Sequence, residues 1–204
     1  MMGVDCCNRS DRFLTKSAPN RDNNAMHPFT SRLAVPTDIP AIRALMARSI
    51  EQLQQGFLTP SEIAASRAVM GLDTQLLEDG TYFIVESGEA IAGCGGWSAR
   101  ATLYGGDHSA ALRDPKPLDP AQDAARIRAM FTDPDFARRG IGRLILSLCE
   151  EAARQAGFHR AEMMATLAGE PLYRACGYAE IERVTAPPTG GIAVPLVRMG
   201  KPLS

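Results

Sequence analysis

Aromatic side chains are scarce in this chain of 204 residues, at 6%, with a single tryptophan. Net charge is nearly absent. Twenty-two Lys and Arg face 23 Asp and Glu, giving −1 at neutral pH, and that excludes the broad basic footprint of a general nucleic-acid binder. No apolar stretch reaches the roughly 18 residues needed to cross a bilayer. The opening MMGVDCCNRSDRFLTK lacks the apolar centre of a secretory signal. A cytoplasmic protein without membrane partners is therefore expected. Metal-ligand spacing is missing as well. Cys6 and Cys7 are adjacent, Cys94, Cys149 and Cys176 sit inside apolar patterns, and His27, His108 and His159 are scattered. No metal site is expected.

What remains is ordinary globular material, 45% hydrophobic and 22% charged, enough for one core at this length. Residues 1–28 are polar and aperiodic and read as a flexible tail. Residues 29–204 read as a single domain. A short strand over 31–35 precedes a helix, with Ile39, Ile42, Leu45, Met46 and Ile50 at helical spacing and Thr37 or Asp38 as its cap. A second helical region starts at Ser61, its expected cap, and runs to Gly80. Tyr82 to Glu86 and Ala90 to Trp97 form a hairpin around Ser87-Gly88. The GCGG within it lets another backbone approach or marks a bulge. Residues 98–123 lack a period and form a long loop, the kind that is usually functional or disordered. A strand over 124–132, a long helix, a strand over 159–166, a short helix ending at Gly177 and two last strands complete the order. The fold expected is a mixed α/β sheet with one parallel, right-handed crossover over 124–165.

The stretch ARRGIGRLIL, 137–146, carries the chemistry. Ile141, Leu144, Ile145, Leu148, Cys149, Ala152 and Ala156 mark one helix face, which places Gly140 and Gly142 in its first turn. Free N–H groups and a partial positive charge collect there, and Arg138, Arg139 and Arg143 add to it. The stretch is either an anion site or a glycine-eased helix start with solvated arginines. A Walker loop is absent, and the dinucleotide fingerprint fails at Ile145.

MFTDPDFARRGIGRLIL resembles the acyl-CoA motif of the GCN5-related N-acetyltransferases, the GNAT family: a strand, an Asp-Pro turn, then [QR]-x-x-G-x-[GA] opening a helix. Ala137 departs from the first position of that pattern. LYRACGY, 172–178, supplies the second signature, a Tyr on a short helix ending in Gly-Tyr. The resemblance covers residues 31–203. It implies a mostly antiparallel sheet whose parallel strand pair splays apart to admit acetyl-CoA. Backbone groups of Met130 and Thr132 would pair with the pantetheine arm, and amides over Arg138, Arg139, Gly140, Ile141, Gly142 and Arg143 would hold the pyrophosphate. Tyr173 would act as the acid for the leaving thiolate.

The resemblance leaves the base and the amine acceptor open. Glu162 lies near one family base position but can equally face solvent. Asp107 and His108 lie in the long loop. The family's Asn before the Tyr helix is absent from Leu167-Ala168-Gly169. Trp97 and Tyr104 read as buried packing or as an aromatic wall. Arg126 and Arg128 share one strand face, and would favour an acidic acceptor if that face opens into the cleft. The acceptor cleft is expected from the first two helices, the 98–123 loop and the 186–191 turn. The leading reading is an acetyl-CoA-dependent N-acetyltransferase acting on a primary amine. A non-catalytic acyl-CoA sensor of the same fold is the alternative, and a purely structural partner-binding domain would make both motifs accidents. Apolar first helices are compatible with a homodimer.

Overall fold

The computed structural model of the protein describes residues 29–203; the tail expected over 1–28 lies outside the described residues. The elements follow in the order β1 (Thr30–Leu33), α1 (Ile39–Leu53), α2 (Pro60–Ser66), α3 (Gln75–Glu78), β2 (Tyr82–Ser87), β3 (Ala90–Ser98) and β4 (Ala125–Thr132), then α4 (Ile141–Gln155), β5 (Arg160–Thr166), α5 (Glu170–Ala175), β6 (Ala179–Thr185) and β7 (Pro195–Pro202). They build one seven-stranded sheet in the order β1-β2-β3-β4-β5-β7-β6. Every neighbouring pair is antiparallel except β4 and β5, the expected parallel crossover.

Helices cover both faces. On α1, Ile42, Leu45, Met46 and Ile50 are buried and pack with Tyr82, Ile84, Cys94 and Phe131. On α4, the stripe Ile141, Ile145, Leu146, Cys149 and Ala153 packs on the opposite face with Val85, Ile127 and Met163. Leu144, Leu148 and Ala152 flank this stripe, and Ala156 lies outside it as the exposed C-cap. Trp97 is buried edge-to-face against Phe158, 5.9 Å between centroids, so it is a core residue.

The glycines of β3 act through both expected routes. Strand β4 carries one extra residue opposite β3, because Gly96 faces Arg128 while Cys94 faces Phe131. A Cβ on Gly93 would lie 2.5 Å from Ile141 Cγ2 and 3.0 Å from the Phe131 carbonyl. Helix α4 can sit this close to the sheet only because no side chain intervenes.

Three local readings are corrected. Asp38 does not cap α1; its carboxylate turns back to the Val35 amide and to Arg32. The cap of α2 is Thr59, not Ser61. Thr59 accepts from the Glu62 amide while Glu62 accepts from the Thr59 amide, the reciprocal box that T-x-x-E spells. The second helical region also breaks after Ser66 and resumes only at Gln75, with Asp73 buried between.

Gly93→Val should lower stability by about 2 kcal/mol, the usual range for overpacking a tight core. Thermal unfolding should then shift down by roughly 5 °C. An unchanged midpoint would mean that α4 has room to retreat.

Candidate functional site

The site begins where β4 and β5 part. They pair only over Ala125–Ala161, Arg126–Glu162 and Ile127–Met163, although β4 continues to Thr132 and β5 to Thr166. The bulge causes the separation. Ala129 holds a left-handed φ of +49°, a conformation that non-glycine residues rarely adopt. Tyr82 secures it from within the core: its side chain is 1% exposed and its hydroxyl donates to the Ala129 carbonyl at 2.8 Å. Burial pushes the Tyr82 phenol well above its ordinary pKa, so this donor keeps its proton. Bulges re-aim strands and end pairing in this way.

Beyond the split, the Asp133-Pro134-Asp135 turn leads into α4. The Asp133 side chain accepts from the Asp135 amide, and Arg48 of α1 pairs with both carboxylates at 3.1 and 2.7 Å. Arg138 and Gly140 have φ of +62° and +87°, which turns successive amides toward one side ahead of the helix. No backbone carbonyl among the described residues accepts from the amides over 138–143. The first such bond of the helix start is from Leu144 to Gly140. A 15-residue helix thus presents its free N–H groups to open space, an anion-binding arrangement.

A cleft of about 540 Å³ lies against this loop. Of the residues expected at the site, Met130, Thr132, Arg138, Gly140, Ile141, Gly142, Arg143 and Tyr173 all line it. Arg139 does not. Its guanidinium lies over the rings of Phe29 and Phe136, at 5.4 and 5.3 Å, which leaves only its backbone at the loop. Gly142 has a packing reason of its own, since a Cβ there would meet Leu172 of α5 at 2.7 Å. Ala137 also lines the cleft, although it departs from the motif.

A second, smaller cavity of about 90 Å³ adjoins the cleft. The two share Met70, Met130, Phe131, Thr166 and Tyr173 as lining residues. Tyr173 therefore stands at the junction. Its ring packs edge-on to Tyr178 at 6.2 Å, and burial holds its phenol well above the ordinary tyrosine value. It is a protonated hydroxyl at neutral pH.

The smaller cavity takes its walls from the segment after α2, from Leu103, Tyr104 and Gly105 of the long loop, and from β4, β5 and β7. Tyr104 thus lines it, whereas the 186–191 turn does not. The two strand arginines separate. Arg126 pairs with Glu162 at 2.6 Å, and Glu162 also pairs with Arg198 at 2.7 Å, so this row is a cross-strand charge ladder outside both cavities. That placement removes Glu162 as a free base. Arg128, by contrast, lines the smaller cavity with its side chain 3% exposed. Asp107 accepts from the amide and hydroxyl of Thr74, and His108 packs against Gly71. Both face a separate open groove. No Asp, Glu or His lines the cleft or the smaller cavity among the described residues.

Sequence reading missed Asp73. It is 1% exposed and pairs with Arg128 at 2.5 Å and with Arg113 of the long loop. Arg128 also donates to the Gly105 carbonyl at 2.7 Å. These contacts fasten the loop over the sheet, and they join segments too distant in sequence for any pattern to signal. Among the described residues no group of His, Cys, Asp and Glu could hold a metal, and no helix is long and apolar enough to cross a membrane.

The acetyltransferase (GNAT) family profile matches residues 47–178. No curated protein matches the sequence. Solved structures share the fold. A GCN5-related N-acetyltransferase from Rhodopseudomonas palustris is 18% identical, with TM-score 0.62 over 85% of this chain and 95% of that one. The ribosomal-protein-S18-alanine N-acetyltransferase of Escherichia coli is 18% identical, with TM-score 0.53 over 87% and 95%. The yncA protein of Salmonella typhimurium, solved with its cofactor acetyl-CoA, is 18% identical, with TM-score 0.57 over 87% and 95%.

Asp73→Ala should destabilise the protein by about 3–5 kcal/mol, because Arg128 is then left charged and buried without its carboxylate. A thermal midpoint lowered by roughly 10 °C is expected. A shift within experimental error would show that the Gly105 carbonyl and cavity water suffice for Arg128.

Proposed function

Because the chain belongs to the acetyltransferase (GNAT) family, we propose that it is an acetyl-CoA-dependent N-acetyltransferase moving an acetyl group directly to a primary amine of a small molecule or peptide. The observation that carries this reading is the place of Tyr173, at the only set of walls shared by the cleft and the smaller cavity among the described residues. A thioester lying in the cleft would bring its sulfur to that junction, and an amine entering the smaller cavity would meet it there.

The residues fit the cosubstrate. The left-handed turn at Gly140 and the free amides over 138–143 would receive the pyrophosphate, with Arg138 and Arg143 beside them. The edge of β4 from Met130 to Thr132, not paired with β5, would bond the pantetheine amides. Acyl transfer needs a neutral amine, a donor for the developing oxyanion and an acid for the departing thiolate. Tyr173 supplies the acid. The amine proton leaves to water, since no carboxylate or imidazole lines either space among the described residues. That same lack favours the rival reading, an acyl-CoA-binding sensor. The buried, protonated Tyr173 favours the enzyme, because a sensor has no use for an acid at the junction.

Two substitutions should separate binding from chemistry. Tyr173→Phe should leave CoA affinity within about two-fold by calorimetry and cut kcat by roughly 10²-fold, the ordinary contribution of a positioned acid. Wild-type turnover in this variant would refute the acid role. Gly140→Val must force a β-branched residue to φ +87°, a strain of about 1–2 kcal/mol. It should weaken CoA binding about tenfold, and unchanged affinity would refute the loop assignment.

The pH profile tests the absence of a base. With Tyr173 raised far above neutrality, its acid form persists through alkaline pH. kcat/KM should rise with pH to the acceptor amine's own pKa and show no fall up to about pH 10, near the ordinary tyrosine value. An inflection between pH 5 and 8 that ignores the amine's pKa would reveal a protein base.

A further inference from the structure

The smaller cavity has a mixed lining. Val69, Met70, Leu103, Met163, Met164 and Leu196 supply apolar side chains to it. Arg128 is its one charged lining residue. A guanidinium in such a wall is costly to keep, because desolvating it takes several kcal/mol that only good partners repay.

Its partners are incomplete. Arg128 has five N–H donors. The Asp73 carboxylate takes one Nη1 bond and the Gly105 carbonyl one Nη2 bond. Arg128 Nε is buried and has no partner. The carboxylate is shared besides, since Asp73 also pairs with Arg113. Two guanidiniums therefore divide one buried carboxylate. The next acid, Asp107, stands 3.6 Å from Arg113 on its outer side and is 31% exposed. Burial and the Arg113 charge draw Arg128 down to about 10, which still leaves it cationic at neutral pH.

Arg126 occupies the equivalent place in the paired part of the sheet, and its Nε is likewise buried without a partner. One register step before the split, it has Glu162 directly opposite on β5. Arg128 lies just past the last β4–β5 pair, and no acid faces it across the cavity. The split that opens the cavity also leaves this cation without a cross-strand partner.

Building on the acetyltransferase reading, we propose that the smaller cavity is a carboxylate-recognition site and that the acceptor is a small amine carrying a carboxylate, of the free amino acid class, held by Arg128. The dimensions agree. The cavity's 90 Å³ is below the ~150 Å³ that holds benzene in an engineered core, so it admits a carboxylate and a few carbons. In an α-amino acid the amine is one carbon from the carboxylate, and Thr166 and Tyr173 line the same small space as Arg128. The methionine and leucine walls suit a short aliphatic side chain. A diamine or polyamine would instead bring a second cation against Arg128.

The test uses alanine, norvaline and leucine, each beside its carboxamide and the amine lacking the carboxyl group. Binding to the CoA-loaded protein is read by calorimetry, and transfer by thiol release from acetyl-CoA. The free acids should exceed their carboxamides at least tenfold in affinity or kcat/KM. In Arg128→Gln that ratio should fall toward one, and Arg128→Lys should restore part of it. The ratio is internal to each variant, so a general loss of folded protein cancels. If neither variant folds, the wild-type ratio decides. Carboxamides or simple amines used as well as the acids would overturn the proposal and leave the acetyltransferase reading intact. Acids that bind without thiol release would uphold carboxylate recognition and remove the catalytic reading. Failure of every probe to bind or react would overturn the proposal.

Discussion

The structure depends on one extra residue in β4. The bulge at Ala129 turns the strand away from β5 after three paired positions, and Tyr82 fixes it through a hydrogen bond from its buried hydroxyl. A left-handed alanine is strained by roughly 1–3 kcal/mol and persists only where its surroundings over-determine it. Here they do, since the Tyr82 hydroxyl would otherwise be a buried donor without an acceptor. The Tyr82 phenol and the Ala129 carbonyl thus meet each other's needs. The open edge of β4 is the consequence, and the cleft and the smaller cavity both take lining residues from it.

A split sheet leaves backbone polar groups and apolar side chains to be covered, and helix α4 does much of this. It reaches the sheet through Gly93 and Gly95, where a Cβ would meet Ile141 or Ile145 within 3 Å. The close approach brings the free amides of its first turn beside the open strand. Gly142 then lets α5 pack against the same turn, and α5 carries Tyr173 to the junction of the two spaces. The glycines that looked like a phosphate loop therefore also set the distances on which the whole site rests. The two roles are compatible because each asks for the same thing, an absent side chain.

Much of this was legible in the sequence because it is periodic or local. The α4 stripe, the Asp-Pro stop, the glycines at 140 and 142 and the Tyr173 helix follow from spacing, and the one parallel crossover follows from the strand–helix–strand alternation over 124–165. Thr59 could have been found as well, since Thr-Pro-Ser-Glu spells a capping box. What could not be read is long-range. Arg126 and Arg128 look equivalent as alternate residues on one strand face. Only the position of the split, which is a tertiary property, gives one of them a glutamate and the other a cavity. Asp73 sits between two short helices and shows no pattern at all, yet it ties β4 to the long loop. Arg139 had every compositional claim to an anion, and the two phenylalanine rings beside it decide otherwise.

The same contrast bears on how this sheet handles charge. Arg126, Glu162, Arg198 and Glu182 alternate in sign across neighbouring strands, partly exposed, and are joined by successive ion pairs. Ion pairs of this kind add little stability. In the Arg113–Asp73–Arg128 cluster two guanidiniums share one carboxylate, and Asp73 and Arg128 are buried deeper than the ladder, which raises their desolvation cost. A stability argument alone would favour replacing the buried Arg128 with an apolar residue of similar volume. Its presence is better explained by what enters the cavity. An anion there would add a counter-charge beside Arg128 and lower the cost of the cluster. The group that weakens the empty site is then the one that gives the occupied site its selectivity.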